Sequence, residues 1–245
     1  MKIPIIYEDE NLLVADKPPN LIVFPENSTL QKTLIDLLVE ESPTLKNVGR
    51  APRYGIVHRL DKDTSGLLLV AKNEKTLFFL QKQFKERKVT KKYIALLSGN
   101  LKEEKGKIET LIGRSPQNRK KQKIYLPLEP DSRGKREATT KYQVLKRFSD
   151  KEGKKYTLVE VSPKTGRKHQ IRAHFHYLGH PIIGDKLYGF KNQLSAINFG
   201  GRLKRQFLHA SFLGIKLLPD IEKEFKSELP EDLKQILKNL NEYSK

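Results

Sequence analysis

His58-Arg59-Leu60-Asp61-Lys62-Asp63-Thr64-Ser65-Gly66 runs without a break into Leu67-Leu68-Leu69-Val70-Ala71-Lys72. The first half reads as a polar loop, because Asp, Thr and Ser bond the local backbone and Gly accepts unusual dihedrals. The second half has the length and apolar content of a buried strand. Asp61 is therefore expected at the mouth of a sheet, held by a turn and anchored by packed leucines. That position suits a catalytic carboxylate. Composition by itself favours a plainer reading, a solvated turn in which Asp61 and Asp63 are turn-formers.

Charge narrows the class of partner. The 245 residues carry 48 Lys and Arg against 29 Asp and Glu, a formal charge of +19. Such an excess implies a polyanion, since neutralising phosphates releases counterions and drives binding. Nucleic acid comes first; no separate basic amphipathic helix is visible to serve a membrane. There is no cysteine, which excludes disulfides, thiolate metal sites and a cysteine nucleophile. No apolar run reaches transmembrane length and no signal-peptide core is visible, so a cytoplasmic protein is expected.

Outward from the central stretch, 3–7 and 12–15 read as strands joined by the turn Glu8-Asp9-Glu10-Asn11. Asp16-Lys17-Pro18-Pro19-Asn20 forms a rigid corner in which Asn20 tolerates a left-handed backbone. Residues 28–41 read as a helix with Ser28 and Gln31 as a capping box and Leu30, Leu34, Leu37 and Leu38 facing the core. Asn73 caps a second helix over 74–88, with Leu77, Leu80, Gln81 and Phe84 inward and Lys75, Lys82, Lys85 and Arg87 outward. A strand over 91–99 begins with Tyr93 among lysines, and 108–112 is another. Residues 113–123 and 131–136 read as basic loops, and 138–147 pairs with 155–161. Gly166 turns the chain into a helix reaching Tyr177. The three histidines there, His169, His174 and His176, lack ligand spacing and a carboxylate, so no metal is expected. Residues 191–204 read as a variable loop, and 230–240 as a terminal helix with Pro at its first turn.

Three stretches together resemble the RluA/RluD family of RNA pseudouridine synthases. His58-Arg59-Leu60-Asp61-x-x-Thr64-Ser65-Gly66 is similar to its signature, without a gap. Lys91-x-Tyr93-x-Ala95-Leu96-x-x-Gly99 is similar to its second motif, and Gly166-Arg167-x-His169-Gln170-Ile171-Arg172-x-His174 to its third. Leu178 to Gly189 and Leu208-His209-Ala210 also match; His209 reads as structural. The kinase catalytic loop fits poorly, since Leu60 separates Arg59 from Asp61 and no Gly-rich phosphate loop precedes them. The Lys17-Pro18 corner departs from the family, with Asn20 and Phe24 where Gly and His are usual.

The resemblance implies an α+β fold, with a mixed, mainly antiparallel sheet, a central cleft and flanking helices and loops. It implies one catalytic domain over residues 1–245, without the S4 RNA-binding module. It implies conversion of specific uridines to pseudouridine in ribosomal RNA, most of all that of the large subunit, or in transfer RNA. Asp61 would be the nucleophile, attacking the ribose or the uracil ring. Tyr93 would lie against the flipped base and Arg172 would keep Asp61 ionised. Arg59 would fill the vacated stack, and His58, Thr64 and Arg167 would join it in contacting RNA. No cofactor, metal or membrane is implied, and a monomer is expected. Two rivals share these residues: an RNA-binding protein without catalysis, and a glycosidase or nuclease using Asp61 as general acid or base.

Overall fold

The computed structural model describes residues 1–25, 31–189, 203–218 and 221–243. In chain order the strands and helices among them are β1 (Ile5–Glu8), β2 (Leu12–Lys17), α1 (Leu34–Glu41), β3 (Ser65–Ala71), α2 (Glu74–Lys85), β4 (Thr90–Ser98), β5 (Lys105–Arg114) and β6 (Gln122–Tyr125). Then follow β7 (Arg136–Ser149), β8 (Lys155–Pro163), α3 (Gln170–Tyr177), β9 (Leu208–Leu218), β10 (Ile221–Lys226), α4 (Glu231–Lys238) and β11 (Asn241–Tyr243). The fold is α+β. Among the described residues no helix is long and apolar enough to cross a membrane.

The chain forms two compact units. The first comprises Met1–Lys91 and Ala210–Glu228, the second Lys92–His209 and Leu229–Lys245. In the first, β1, β2 and β3 pair antiparallel, β9 follows β3 in the sheet, and β10 pairs antiparallel with β9. All seven residues of β3 are buried, as the apolar run predicted. Leu67, Leu69 and Ala71 pack with Leu12, Val14, Leu77, Leu80 and Ile215. In the second unit the strand order is β4-β8-β7-β5-β6, with β11 on β7. These pairs are antiparallel as well. Ala95, Leu97, Val159 and Val161 meet Ile171 and Phe175 of α3 and Leu233 and Ile236 of α4 in its core.

Several local expectations hold, for visible reasons. The turn before β2 closes because Asp9 Oδ1 accepts the amides of Asn11 and Leu12, each at 2.8 Å. Asn73 caps α2 by accepting the Thr76 amide at 2.9 Å. Asn20 has φ +62, the left-handed backbone allowed to it.

Others are corrected. Helix α1 starts at Leu34, and its capping box is Thr33 with Asp36, whose Oδ2 takes the Thr33 amide at 2.8 Å and hydroxyl at 2.7 Å. A carboxylate near the positive end of the helix outcompetes Gln31, which is not helical. Ser28 and Leu30 lie outside the described residues. Helix α2 ends at Lys85 because Arg87 turns left-handed at φ +60. Gln81 faces solvent and Gln83 is the buried glutamine, exchanging bonds of 2.6 and 3.0 Å with the backbone of Lys216.

The basic segment 113–123 is largely a hairpin: β5 runs to Arg114, and Gly113 and Arg114 pair with Lys123 and Gln122. Within 131–136 a 3-10 turn, Pro130–Ser132, leads to the start of β7 at Arg136. Helix α3 begins at Gln170, not beside Gly166, because His169 is left-handed (φ +53) and Gln170 holds the preceding loop. Helix α4 is one residue shorter at its start and two at its end than expected, with Pro230 as its N-cap. The variable loop proposed at 191–204 lies outside the described residues except for Leu203 and Lys204.

Gly66 fixes where β3 can lie. Its φ is +113, and a Cβ there would stand 2.2 Å from the Ala210 carbonyl oxygen. Gly66→Ala is expected to lower stability by about 3 kcal/mol or more, since both backbone conformation and space exclude a methyl. Urea unfolding of the two proteins checks this; a difference below about 1 kcal/mol would refute it.

Candidate active site

In the first unit the signature loop is held from three sides. Lys17 at the end of β2 is fully buried. Its Nζ donates to the carbonyls of Pro18 at 2.8 Å, Leu21 at 2.9 Å and Lys62 at 2.9 Å. An ammonium has three protons, so each has an acceptor. Lys62 follows Asp61 directly, and the Leu21 amide adds a 3.2 Å bond to the same Lys62 carbonyl. Register brings these parts together, for Lys17 pairs with Gly66 across β2 and β3. The turn closes as the Thr64 amide donates to the Asp61 carbonyl at 3.1 Å. The half-buried Asp61 side chain leaves this turn beside Arg59, close enough for its charge to act on that guanidinium.

His58 and Thr64 are tied into the packing of the loop. His58 Nε2 accepts the Leu69 amide at 3.0 Å, and its ring stacks on Phe84 of α2 at 4.9 Å. Desolvation, with the Lys91 charge second, holds its pKa down to about 3, so it is neutral. Thr64 is buried. Arg59 is exposed, and its guanidinium lies 5.3 Å from the centre of the Phe24 ring. Phe24, which stands where a family His was expected, thus supplies a ring face for this arginine and for Arg53 at 4.7 Å.

The second unit carries the other two motifs. Tyr93 is half-buried on β4, opposite Val161 of β8, and packs on the core. Arg172 of α3 is buried and forms a two-pronged pair with fully buried Asp185, at 2.7 and 2.9 Å. Asp185 also accepts the amides of Leu187 and Tyr188. Burial alone would raise its pKa; the Arg172 bonds and charge and the two amides outweigh that and hold it below the usual carboxylate range. The Tyr188 ring lies beneath Arg172, 5.1 Å from the guanidinium carbon. Its hydroxyl accepts the Gln122 amide at 2.6 Å and lies 3.1 Å from His169 Nδ1.

Gln170 uses both ends of its amide. Its oxygen accepts from the Thr165 hydroxyl at 2.7 Å and the Arg167 amide at 3.0 Å. Its nitrogen donates to the Thr139 carbonyl and the Thr140 hydroxyl oxygen. His174 is fully buried between Thr140 at 2.8 Å and Thr110 at 3.1 Å. Arg167 is half-buried, and its Nε donates to the Glu137 carbonyl at 2.9 Å. Among the described residues no three His, Cys, Asp or Glu side chains gather as metal ligands.

Of the predicted residues, His58, Arg59, Asp61 and Thr64 share one loop of the first unit, while Tyr93, Arg167 and Arg172 belong to the second. Sequence reasoning missed Lys17 and Asp185. The two prolines after Lys17 marked a corner without showing a buried cation. Asp185 lies in the matching stretch from Leu178 to Gly189, and nothing local marked it as the partner of Arg172.

The chain matches the family model described as RNA pseudouridylate synthase over residues 11–177, which runs through both units. It is 39% identical to an uncharacterized RNA pseudouridine synthase, YlyB, of Bacillus subtilis, over 98% of this chain and 73% of that one. It is 40% identical to the ribosomal large subunit pseudouridine synthase D of Borreliella burgdorferi, over 97% of this chain and 68% of that one. Among solved structures it is similar to human RNA pseudouridylate synthase domain containing 1, at 28% identity and TM-score 0.77 over 99% of this chain and 89% of that one. The domain containing 4 protein is similar too, at 26% and 0.75, over 97% and 93% of the two chains. The chain belongs to the RNA pseudouridylate synthase family. It is an isomerase, and its substrate is RNA.

Two outcomes test these anchors. Lys17→Met removes the ammonium from the Pro18, Leu21 and Lys62 carbonyls, and is expected to cost about 3 kcal/mol and to speed amide exchange around Asp61. Unchanged exchange there would refute the clamp. Burial holds the His174 pKa down to about 4 from an ordinary 6.5. The unfolded chain therefore takes up this proton first, so the His174 share of stability is full above 6.5 and is lost as pH falls toward 4. His174→Gln is expected to flatten the decline of the urea midpoint across that window; an unaltered slope would refute it.

Proposed function

We propose that this chain converts a specific uridine within RNA to pseudouridine, with Asp61 as the nucleophile. The observation that carries the reading is the anchoring of the Asp61 turn by the Lys17 ammonium, the Gly66 crossing and the His58 bond to β3. A carboxylate on such a turn is pre-positioned, as covalent catalysis requires. Asp61 attacks the anomeric carbon or the uracil ring, and the bond from ribose to the ring nitrogen breaks; the uracil turns, a bond from ribose to a ring carbon forms, the bond to Asp61 breaks, and the ring carbon gives up its proton while the freed ring nitrogen gains one. The isomer has the mass of the substrate, so no redox partner or energy source enters the balance.

The other roles follow the motif match. Tyr93 supplies a ring face for the extruded base. Arg172, which Asp185 orients, belongs to the catalytic set by the same match. Arg59 takes the place of the flipped base in the stack, where a planar cation is suited to lie between bases, and Arg167 contacts the RNA backbone. Both units together make the catalytic domain, which acts as a monomer in the cytoplasm. The favoured target is large-subunit ribosomal RNA, supported by the relative named for that substrate; transfer RNA is the second candidate.

The test is a host strain lacking the gene, mapped for pseudouridine across ribosomal and transfer RNA and complemented with wild type or Asp61→Asn. One or a few lost sites, restored by wild type alone, are the expected result. In vitro, Asp61→Asn is expected to lower turnover by roughly a thousandfold or more while RNA affinity stays within about twofold, since phosphate contacts carry binding. A mutant that restores the sites would overturn the assignment of Asp61.

A further inference from the structure

Helix α2 turns Thr76, Leu77, Leu80 and Gln83 inward. On its outer face Phe78 is 65% exposed and Phe79 38%. Two adjacent exposed phenyls on a helix already anchored by its other face are not needed for packing. Their setting is cationic. Lys75, Phe78, Phe79, Lys82 and Lys85 follow the i, i+3, i+4, i+7, i+10 spacing that lines one side of a helix. Among the described residues, no salt bridge ties up Lys75, Lys82 or Lys85. The acids nearby are engaged: Glu74 accepts the Gly49 amide, and Glu86 pairs with Lys88 at 2.7 Å.

The same helix reaches the signature loop. Phe84 in its last turn stacks on His58, and the Lys91 ammonium lies 5.8 Å from the centre of the Phe84 ring. Phe78 is six residues earlier, about 9 Å along the axis at 1.5 Å per residue. Aromatic faces between ammonium groups have the chemistry that holds single-stranded nucleic acid, bases on the rings and phosphates on the cations. An acidic protein would satisfy the lysines but has no general need of flat, exposed rings. Membrane insertion would require an apolar stripe, whereas here lysines border the rings on both sides.

We propose that the outer face of α2, centred on Phe78 with Lys75 and Lys82, is a stacking platform for the single-stranded RNA that flanks the target uridine. This rests on RNA being the substrate. It assigns to the first unit a contact that reads strandedness without reading base edges. RNA whose flank is paired is therefore bound less well than RNA whose flank is open.

The chain has no tryptophan, so Phe78→Trp places one fluorophore on the platform. Its emission is expected to be quenched by a single-stranded oligouridylate and unchanged by an RNA duplex or by anionic phosphatidylserine vesicles. In fluorescence anisotropy with the full chain, Phe78→Ala is expected to weaken the single-stranded oligomer by about tenfold and the duplex by less than about twofold, with the thermal midpoint unaltered. Equal loss on both RNAs, no loss on either, or quenching by vesicles instead of RNA would overturn the platform. Wild-type protein that binds neither RNA would sink the RNA reading beneath it, a different failure from wild-type binding that survives Phe78→Ala.

Discussion

A buried ammonium holds this site's best-anchored loop. Lys17 has no contact with water and donates its three protons to three backbone carbonyls. An isolated charge in that position would be prohibitively costly. It is tolerated because Pro18, Pro19 and left-handed Asn20 curl the chain so that two of the acceptors come from the corner itself. The third acceptor, Lys62, belongs to the turn that bears Asp61. Through that bond and the one from the Leu21 amide to the same carbonyl, the corner and the turn become a single rigid feature. The adjacent pairing of Lys17 with Gly66 then sets where β3 leaves the turn.

The second unit solves a similar problem with different groups. Its third motif supplies Gln170, Arg172 and His174, all on α3 and all buried. Each is spent on partners: Gln170 on the loop before the helix and on β7, Arg172 on Asp185, and His174 on threonines of β5 and β7. Fully bonded buried networks of this kind hold one geometry, because each broken bond leaves a costly unpaired group. These three residues of the motif are framework.

What faces solvent is of another character. The exposed lysines of α2 and of the hairpin β5–β6 leave the excess charge on the surface. Some of it is paired with aromatic rings: Lys123 and Lys135 lie 4.8 and 4.9 Å from the centre of the Tyr125 ring. Buried cations thus set the backbone, and exposed cations carry the surface charge.

Local pattern determined a good part of this protein. The apolar run after Gly66 named a buried strand, Asn73 named a helix cap, Asn20 named a left-handed corner, and three motifs named the family. Those readings rest on neighbours in sequence, where side chains and backbone meet within a few residues. The tertiary structure decided the partners. Lys17 meets Lys62, Arg172 meets Asp185 and Gln83 meets Lys216 only because the fold closes long stretches of chain between them. It also tied the start of α1, at Leu34, to the preceding corner, where the Leu34 and Ile35 amides donate to the Ile22 and Val23 carbonyls. Periodicity shows which residues are apolar, but a buried polar group is identified by what it bonds. For this chain those bonds are mostly distant, so the anchors of the candidate site became visible only once the backbone was folded.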